Sequence, residues 1–321
     1  QNDHEAPVIQ MSVAEVEDWP GAVKKYRLVA VDGADLPQWT AGAHLDIVVA
    51  PEFLRQYSMC GDPADRSCYE IAVLQEPEGR GGSQLMHRIF EPGRRVFVSK
   101  PINHFELEPS AKLSLLFGGG IGVTPMLAFA HELHRKGGRF RLMYSASQKS
   151  KAAFDGAFDG LAWADRVSRH YSDQGTRLDI ARDVPAYEAG THIYVCGPDA
   201  YMSAILDHAR SIGYPEAALH AEFFTVPELP EWENHPFEIE RANGQKIPVT
   251  ATQSASDALI AAGIPVDVKC ADGLCGVCKC TVLSGEVEHR DFVLSAAQRE
   301  TTVILCQSRA AEAGGVLKLD I

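Results

Sequence analysis

The stretch Cys270-Ala-Asp-Gly-Leu-Cys275-Gly-Val-Cys278 decides the fold of the last part of this 321-residue chain. A further cysteine stands at position 306, behind the apolar run Thr302-Val-Ile-Leu305. Three thiols in one C-x4-C-x2-C loop and a fourth at a strand end are the ligand pattern of a 2Fe-2S cluster. The loop glycines, Gly273 and Gly276, permit positive φ and let backbone N–H groups turn toward the sulfur atoms. The predicted cluster ligands are Cys270, Cys275, Cys278 and Cys306.

These cysteines could instead form a zinc site, a disulfide pair or ordinary buried thiols. Zinc sites usually contain two short Cys or His pairs, whereas here three cysteines share one loop and the fourth stands alone. The cluster is therefore favoured, and with it a protein that transfers electrons. Cys280 lies in the expected strand Cys280-Thr-Val-Leu283 and is predicted to be a core or neighbouring thiol, not a ligand.

Composition places the chain among soluble, globular, multidomain proteins. The length favours two or three domains, and 45% hydrophobic with 23% charged residues is typical of a packed soluble fold. A net charge of −13 argues against nucleic acid as a partner, because that partner requires a basic face. The uncharged run 113–130 has the length of a membrane span, but its glycines and Pro125 break that pattern.

Cysteine usage and the first residues bear on the cellular compartment. Residues Gln1 to Glu5 lack the basic and apolar regions of a signal peptide. The chain has eight cysteines, and four in a cluster motif favour a reducing environment. We therefore expect a cytoplasmic protein without membrane attachment.

Residues 1–103 are predicted to form an antiparallel β-barrel. Short alternating or β-branched runs are separated there by turns that contain Gly, Pro and Asp. One helix, at 83–90, interrupts them. The expected strands cover 25–31, 45–49, 69–74 and 95–98.

Residues 104–226 are predicted to form an α/β domain with a parallel sheet, because apolar strands alternate with helical periodicity. A proline-rich linker follows at 227–235. Residues 236–321 then contain two strands around the turn Asn243-Gly244, a helix at 256–263 and the cysteine loop, an order that predicts an α+β domain of the β-grasp type. In the α/β domain the expected strands cover 113–117, 140–144, 166–171 and 192–195, and the expected helices 126–136 and 202–211.

A glycine-rich turn, Phe117-Gly-Gly-Gly-Ile-Gly-Val-Thr-Pro125, joins a strand to a helix in the α/β domain. Thr124 is predicted as the N-cap and Pro125 as the first helical residue. Glycines let the backbone approach a ligand, and a helix N-terminus favours a pyrophosphate. A second strand ends in Val195-Cys-Gly-Pro-Asp199, so two strand ends are expected to face one crevice. Cys196 has no base placed beside it by the sequence, and a nicotinamide contact is favoured over nucleophilic catalysis.

The segment Arg55-Gln-Tyr57-Ser58 presents a cation, an aromatic ring and a hydroxyl on one expected strand. Alternation places Arg55 and Tyr57 on the same face, where they can meet a phosphate and a flat ring together. The run Gly79-Arg-Gly-Gly-Ser83 opens the expected helix and supplies a second anion site at a helix terminus. Together the two segments predict a pocket for a flavin phosphate.

The combined motifs resemble those of the ferredoxin-NADP reductase superfamily. With a plant-type ferredoxin domain at the C-terminus, the chain resembles the phthalate dioxygenase reductase family, which includes vanillate demethylase reductase. The resemblance covers essentially the whole chain, and the joint order of the motifs is more specific than any one of them. The motifs are Arg55/Tyr57/Ser58, Gly81-Gly82-Ser83, Gly118 to Pro125, Cys196-Gly-Pro198 and Glu222-Phe-Phe224.

The resemblance implies FMN in the barrel, NAD in the α/β domain and the cluster in the last domain, because FMN-containing members carry their modules in that order. It implies that Phe224 covers the flavin ring, with Phe223 left open as the alternative. The residues implied for FMN are Arg55, Tyr57, Ser58, Ala72, Val73, Leu74, Gly81, Gly82, Ser83 and Phe224. Those implied for NAD are Gly118, Gly119, Gly120, Gly122, Thr124, Pro125, Asp173, Cys196, Gly197 and Pro198.

Charge argues for NADH as the coenzyme. Relatives that use NADPH tend to place Ser-Arg after the strand that ends near position 171, where this chain has Ser172-Asp173. A carboxylate there would repel a 2′-phosphate and could accept a hydrogen bond from a ribose hydroxyl.

The leading hypothesis is a reductase in which NADH delivers a hydride to FMN and the electrons pass singly to the cluster. The cofactors supply this chemistry, so no catalytic side chain is expected. By resemblance a separate aromatic-ring oxygenase accepts the electrons, phthalate dioxygenase or a relative such as vanillate demethylase, and the reductase is expected to be a monomer. The rival hypotheses are a zinc-stabilised binding scaffold and, last, a flavohaem-type enzyme, for which the sequence has no evident haem-binding segment.

Overall fold

A computed structural model describes residues 8–50, 53–79, 81–225 and 232–321 of the chain. Contacts divide the chain into two compact units, one ending at Ala221 and the other beginning at Glu222. Most of the expected linker, residues 227–231, lies outside the described residues. The predicted domain limits stay predictions.

The first unit begins with a seven-stranded sheet whose pairings are all antiparallel in the described part of the chain. Leu45, Ile47 and Val49 alternate into the core on one face of the third strand, which explains why this segment is extended. The predicted strands and helix of this region are confirmed, and the long first strand is an addition. The elements are β1 (Val8–Trp19), β2 (Val23–Ala30), β3 (Ala43–Ala50), β4 (Phe53–Ser58), β5 (Tyr69–Leu74), α1 (Gly82–Ile89), β6 (Arg95–Ser99) and β7 (Ile102–Asn103).

The rest of the first unit contains a five-stranded sheet. Its order is β10-β9-β8-β11-β12, and the pairings from β10 to β11 are parallel, as predicted. Among the described residues, none of the helices has both the length and the apolar content needed to cross a bilayer. The elements are β8 (Leu113–Gly119), α2 (Thr124–Arg135), β9 (Phe140–Ala146), β10 (Val167–Tyr171), α3 (Ile180–Asp183), β11 (Thr191–Cys196), α4 (Asp199–Ser211) and β12 (Leu219–Glu222).

The start of α2 corrects one prediction. Thr124 is already the first helical residue and not the N-cap, because a 3-10 turn, Gly120–Val123, brings the chain into the helix one residue early. The Thr124 hydroxyl donates to the carbonyl of Ile121 at 3.0 Å. Pro125 therefore occupies the second helical position, where its missing N–H is equally harmless.

The two sheets of the first unit share one buried core. Glu132 of α2 is only 6% exposed, and its carboxylate accepts a hydrogen bond from the Ala41 amide at 2.9 Å. Phe105, which follows β7, packs on Phe129 of α2 with ring centroids 5.1 Å apart. These contacts fix the antiparallel part against the parallel part, so one site can draw residues from both.

A histidine pair joins the last two strands of the parallel sheet. His192 Nδ1 lies 3.0 Å from His220 Nε2, and the His220 ring stacks on Tyr194 at 4.5 Å. Burial, and after it the neighbouring His192, lower the pKa of His220 to about 4, because a second positive charge is unfavourable in this space.

We expect the first unit to lose stability as the pH falls from 6.5 toward 4. In this range His220 is protonated in the unfolded chain but remains neutral in the folded chain, because its pKa there is lower. Urea denaturation at pH 7.5 and pH 5 is expected to give a free energy of unfolding about 2 kcal/mol lower at pH 5. His220→Gln is expected to remove most of this difference. An equal loss in the variant would contradict the assignment to His220.

The second unit contains a five-stranded mixed sheet in the order β14-β13-β19-β15-β17, with β13 and β19 parallel. The predicted hairpin is confirmed, with Gly244 at φ +84° in its turn. Ser254 and Asp257 form a capping box at the predicted helix. The elements are β13 (Phe237–Arg241), β14 (Lys246–Val249), α5 (Ala255–Ala261), β15 (Lys279–Ser284), β16 (Val287–Glu288), α6 (Ala296–Arg299), β17 (Thr302–Ile304), β18 (Arg309–Ala310) and β19 (Val316–Leu319).

Two buried arginines bind the last four residues of the expected linker to the second unit. Arg290 donates to Asn234 Oδ1 at 2.5 Å and lies over the ring of Trp232 at 4.9 Å. Arg309 donates to the carbonyl of His235 at 2.9 Å. These four residues are therefore part of the folded second unit and not a free connection.

Candidate functional site

The cysteine loop is closed by strand pairing. It lies between α5 and β15, and β15 pairs with β17 so that Lys279 faces Ile304. The amide of Leu305 donates to the carbonyl of Cys278 at 3.1 Å. This register places Cys306, two residues past the end of β17, beside the third cysteine of the loop, although the two are distant in sequence.

The four predicted ligands lie in mutual contact. The thiols of Cys275 and Cys306 donate to the sulfur of Cys270 and lower its pKa, and Cys306 likewise lowers the pKa of Cys278 to about 7. The same contacts raise the pKa of Cys275 and Cys306, as happens when thiols crowd together, so the support for a cluster is the convergence of four sulfur atoms. Cys270, Cys275, Cys278 and Cys306 are thus brought together by the fold.

The loop backbone also turns toward the sulfur atoms, as predicted. Gly273 and Gly276 have φ of +75° and +69°. The amide of Asp272 donates to Cys270 Sγ at 3.4 Å, and the amide of Gly273 donates to Cys306. Such N–H donors stabilise negative charge on cluster sulfurs.

Over the described residues, no three side chains of the His, Cys, Asp and Glu types converge as they would around one metal ion. The contacts between the four cysteines run in series, from Cys275 to Cys270 to Cys306 to Cys278, and do not surround one point. Cys280 lies apart in β15, where its thiol donates to the carbonyl of Asp320 at 3.9 Å and burial raises its pKa to about 11. It remains a neighbouring thiol.

The two predicted parts of the flavin pocket meet in the structure. The Arg55 side chain crosses the start of α1, where a Cβ on Gly82 would lie 2.9 Å from Arg55 Cζ. A side chain at position 82 would displace the guanidinium from this place. Arg55 also lies over the ring of Phe53 at 5.0 Å, and the Ser83 hydroxyl accepts from the amide of Glu76. The residues Arg55, Gly81, Gly82 and Ser83 therefore form one cationic corner.

The other residues implied for the flavin lie on β4 and β5. Tyr57 shares the Arg55 face of its strand, and burial raises its pKa to about 12. Ser58 is buried at the end of β4, and Ala72 and Val73 are buried in β5. Leu74, at the end of β5, is half-buried and lines the cavity described next.

A cavity of about 500 Å³ lies at the carboxyl edge of the parallel sheet. Its wall takes residues from the ends of β8, β9 and β10, from the turn after β11 and the start of α4, and from three positions of the antiparallel part, Gly21, Val23 and Leu74. The carboxyl ends of parallel strands are where α/β sheets bind ligands. The volume lies within the range of small-molecule sites.

The two predicted turns meet at this cavity, which confirms that two strand ends face one crevice. A Cβ on Gly122 would lie 2.5 Å from the carbonyl carbon of Cys196, so the turns touch backbone to backbone. Of the residues implied for NAD, Gly119, Gly120 and Pro198 line the cavity. Gly118, Gly122, Thr124, Pro125, Cys196 and Gly197 support those turns without forming its wall.

The structure does not bring Asp173 into the wall. Its carboxylate accepts from the Lys149 amide at 3.0 Å, and its own amide donates to the carbonyl of Ser147, so it braces two loops. Ser172 does line the cavity.

Several polar residues of the wall were not predicted from the sequence. His170 Nε2 is buried and has no hydrogen-bond partner among the described residues, and Ser145 and Tyr201 add two hydroxyls. Lys151 and Arg177 add two cations. Their position in the sequence could have indicated two of them, because Ser145 and His170 lie at the carboxyl ends of β9 and β10, where such sheets bind ligands. A buried polar atom without a partner is common where a ligand completes the hydrogen bonding.

The two aromatic residues before the linker, Phe223 and Phe224, have different surroundings. The ring of Phe223 packs on Phe292 at 5.2 Å, and Phe292 in turn donates its amide to the carbonyl of Gly273 in the cysteine loop. Phe224 is 41% exposed. Of the two, Phe224 keeps a ring surface available for a ligand.

Comparison with known proteins agrees with this geometry. The family model for the 2Fe-2S iron-sulfur cluster binding domain matches residues 238–311. The chain is 40% identical over 297 residues to a vanillate O-demethylase oxidoreductase of Pseudomonas sp., covering 91% of this chain and 93% of the relative. It is 34% identical over 315 residues to the phthalate dioxygenase reductase of Burkholderia cepacia, covering 97% of each.

A solved structure is similar over the full length of both chains. It is a phthalate dioxygenase reductase, described as a modular structure for electron transfer from pyridine nucleotides to [2Fe-2S]. The TM-score is 0.70, the sequence identity is 33%, and the coverage is 100% of each chain. The similarity therefore includes both units and not the cysteine motif alone.

Proposed function

The chain belongs to the family of iron-sulfur flavoprotein reductases that includes phthalate dioxygenase reductase and vanillate O-demethylase oxidoreductase, and from this we propose that it carries electrons from NADH through FMN to a 2Fe-2S cluster. The observation that carries the proposal is the mutual contact of four cysteine thiols inside the segment that matches the cluster-binding domain. When bound, the flavin takes a hydride from the nicotinamide and passes single electrons to the iron.

The corner at Arg55 fits FMN because it combines a positive charge with the nearby backbone amides of the α1 start. Arg55 and the amides at Gly81, Gly82 and Ser83 would hold the phosphate, since a guanidinium and free N–H groups at a helix start both favour an anion. Tyr57 and Ser58 would bind the ring system and its ribityl chain. Phe224, with its exposed ring, is our choice to cover the flavin.

The coenzyme cavity fits NADH beside that flavin. Gly119 and Gly120 would take the pyrophosphate at the backbone, and Pro198, with Cys196 buried behind it, would border the nicotinamide. Leu74 supports this orientation, because it belongs to the strand proposed to border the flavin and also lines the cavity. The residues thus position two rings and keep water out, and none has to donate or accept a proton.

The finer architecture is part of the proposal. We propose that the antiparallel sheet closes as a barrel that binds FMN at 1–103, that residues 104–226 bind NAD, and that 236–321 form a β-grasp ferredoxin domain behind a linker at 227–235. The antiparallel bridge between Met59, just after β4, and Ile71 of β5 joins the two ends of the strand order and supports closure. The hairpin, helix and cysteine loop of the second unit support the last assignment.

The electron acceptor is proposed to be a separate aromatic-ring oxygenase. Two relatives of this chain are by name the reductases of a phthalate dioxygenase and of a vanillate demethylase. The substrate of that oxygenase, a phthalate or a vanillate-type ether, lies with the partner. A cytoplasmic monomer is the proposed form of the reductase.

An absorption spectrum before and after anaerobic NADH tests the proposal. Flavin bands and a broad iron-sulfur shoulder that both bleach with NADH are expected, and chromatography of the released flavin is expected to identify FMN. A colourless protein that contains zinc would instead support the binding scaffold. A yellow protein without iron would contradict the transfer chain.

A further inference from the structure

The coenzyme cavity has a cationic end. Lys151 and Arg177 both line it, and no Asp or Glu is among the described residues of its wall. The chain as a whole has a net charge of −13, so two cations in a wall without carboxylates are not what composition predicts. A cationic wall favours an anionic ligand group.

The two cations lie in the loops after β9 and β10. Position 151 follows the end of β9 at Ala146, and position 177 follows the end of β10 at Tyr171. In dinucleotide-binding sheets the pyrophosphate binds at the glycine-rich turn, which here follows the central strand β8. The loop that reaches the adenosine ribose follows a neighbouring strand, where an acidic residue accepts from the 2′-hydroxyl or an arginine binds a 2′-phosphate. β10 is the edge strand, so Arg177 lies on the ribose side.

The acidic residue of that loop is engaged elsewhere. Asp173 accepts from the Lys149 amide and does not line the cavity, whereas its neighbour Ser172 does. Its carboxylate is therefore held as a brace between loops. Ser172 and the two cations, in contrast, line the cavity and are available to a ligand there.

A buried histidine gives an independent indication of a ligand at this end. His170 is 7% exposed, lines the cavity, and its Nε2 has no hydrogen-bond partner among the described residues. Its Nδ1 lies 3.2 Å from the carbonyl of Thr176, and because a carbonyl only accepts, Nδ1 carries the proton. The other ring nitrogen, Nε2, is left at the cavity without a partner in the described part of the chain. A ribose hydroxyl or an adenine amino group would satisfy it.

We propose that Arg177 and Lys151 form a subsite for the 2′-phosphate of NADPH, so that this chain accepts NADPH as well as NADH. Ser172 adds a hydroxyl donor to the same phosphate. The proposal rests on the proposed coenzyme role of the cavity. The reaction is unchanged, since NADPH gives up the same hydride to FMN as NADH does and leaves as NADP⁺.

Calorimetry on the full-length protein tests the subsite without turnover, with 2′-AMP and 5′-AMP as matched probes that differ only in the position of the phosphate. We expect 2′-AMP to bind more tightly to the wild type. Arg177→Ala and Lys151→Ala are each expected to weaken 2′-AMP about tenfold, while 5′-AMP changes by less than about twofold. Lys149→Ala is the control, because Lys149 is a nearby cation that does not line the cavity.

Kinetics give the second readout. Arg177→Ala is expected to lower the ratio of kcat/KM for NADPH to that for NADH about tenfold. Equal weakening of both nucleotides by Arg177→Ala, or no preference for 2′-AMP in the wild type, would overturn the subsite. If the protein oxidised neither coenzyme yet bound 2′-AMP as described, the subsite would stand and the proposed reductase function would fall.

Discussion

Cys306→Ser is expected to abolish the cluster while the flavin half of the protein still works. Cys306 is 7% exposed and contacts two of the other cysteines, Cys270 and Cys278. A site with four cysteine ligands therefore cannot form without it. An alcohol is a poor substitute for a soft thiolate on iron. Iron content is expected to fall from about two atoms per chain to near zero. NADH-dependent reduction of ferricyanide, which can take electrons from the flavin, is expected to persist, whereas transfer to cytochrome c is lost.

Cys280→Ser is the matched control. Cys280 belongs to the same unit and is equally buried, but its thiol points to the carbonyl of Asp320 and not to the other four. It is expected to keep its iron and its transfer to cytochrome c. Loss of iron in this variant, or full iron in Cys306→Ser, would contradict the ligand assignment.

Gly122→Ala is expected to disrupt the coenzyme site and to destabilise the first unit. The new Cβ would lie 2.5 Å from the carbonyl carbon and oxygen of Cys196 and 2.6 Å from the Gly197 amide nitrogen. These are backbone atoms that cannot rotate away, so the turns after β8 and β11 must separate. Overpacking of this kind costs about 1–3 kcal/mol in the free energy of unfolding, and the displaced nicotinamide should lose at least about tenfold in kcat/KM for NADH.

Gly156→Ala separates this effect from any general cost of replacing glycine. Gly156 lies in the same part of the chain, and a Cβ there would meet nothing within 4 Å. Urea denaturation and NADH kinetics are expected to match the wild type within about 0.5 kcal/mol and about twofold. If Gly122→Ala behaved as Gly156→Ala does, the close contact between the two turns would be wrong.

The sequence could predict sites in which local spacing carries the chemistry. The cysteine loop is one such case, because three ligands and the two glycines between them share nine residues and only Cys306 depends on strand pairing. The corner of Arg55 and Gly82 is another, since a strand motif and a helix start could be matched by their common affinity for phosphate. Strand and helix positions followed from periodicity in the same way.

The cavity wall could not be predicted by the same reasoning. Ser145, His170, Arg177 and Tyr201 lie on four different segments, and only the strand order β10-β9-β8-β11 brings them to one edge. The misplaced helix start at Thr124 has a different origin. A threonine before a proline is a typical N-cap pattern, but the preceding glycines permit a 3-10 turn that starts the helix one residue earlier.

Arg290 and Arg309 hold the segment from Trp232 to His235 against the second unit, and this contact determines where a ferredoxin domain can be joined to another protein. A ferredoxin segment cut at Pro236 would leave both buried guanidinium groups short of acceptors, and each unsatisfied donor would cost about 1–3 kcal/mol. A gene fusion that transfers this domain should therefore include residues 232–235 together with the sheet of the second unit. A chimaera that joins this electron carrier to another flavoprotein needs its junction upstream of Trp232.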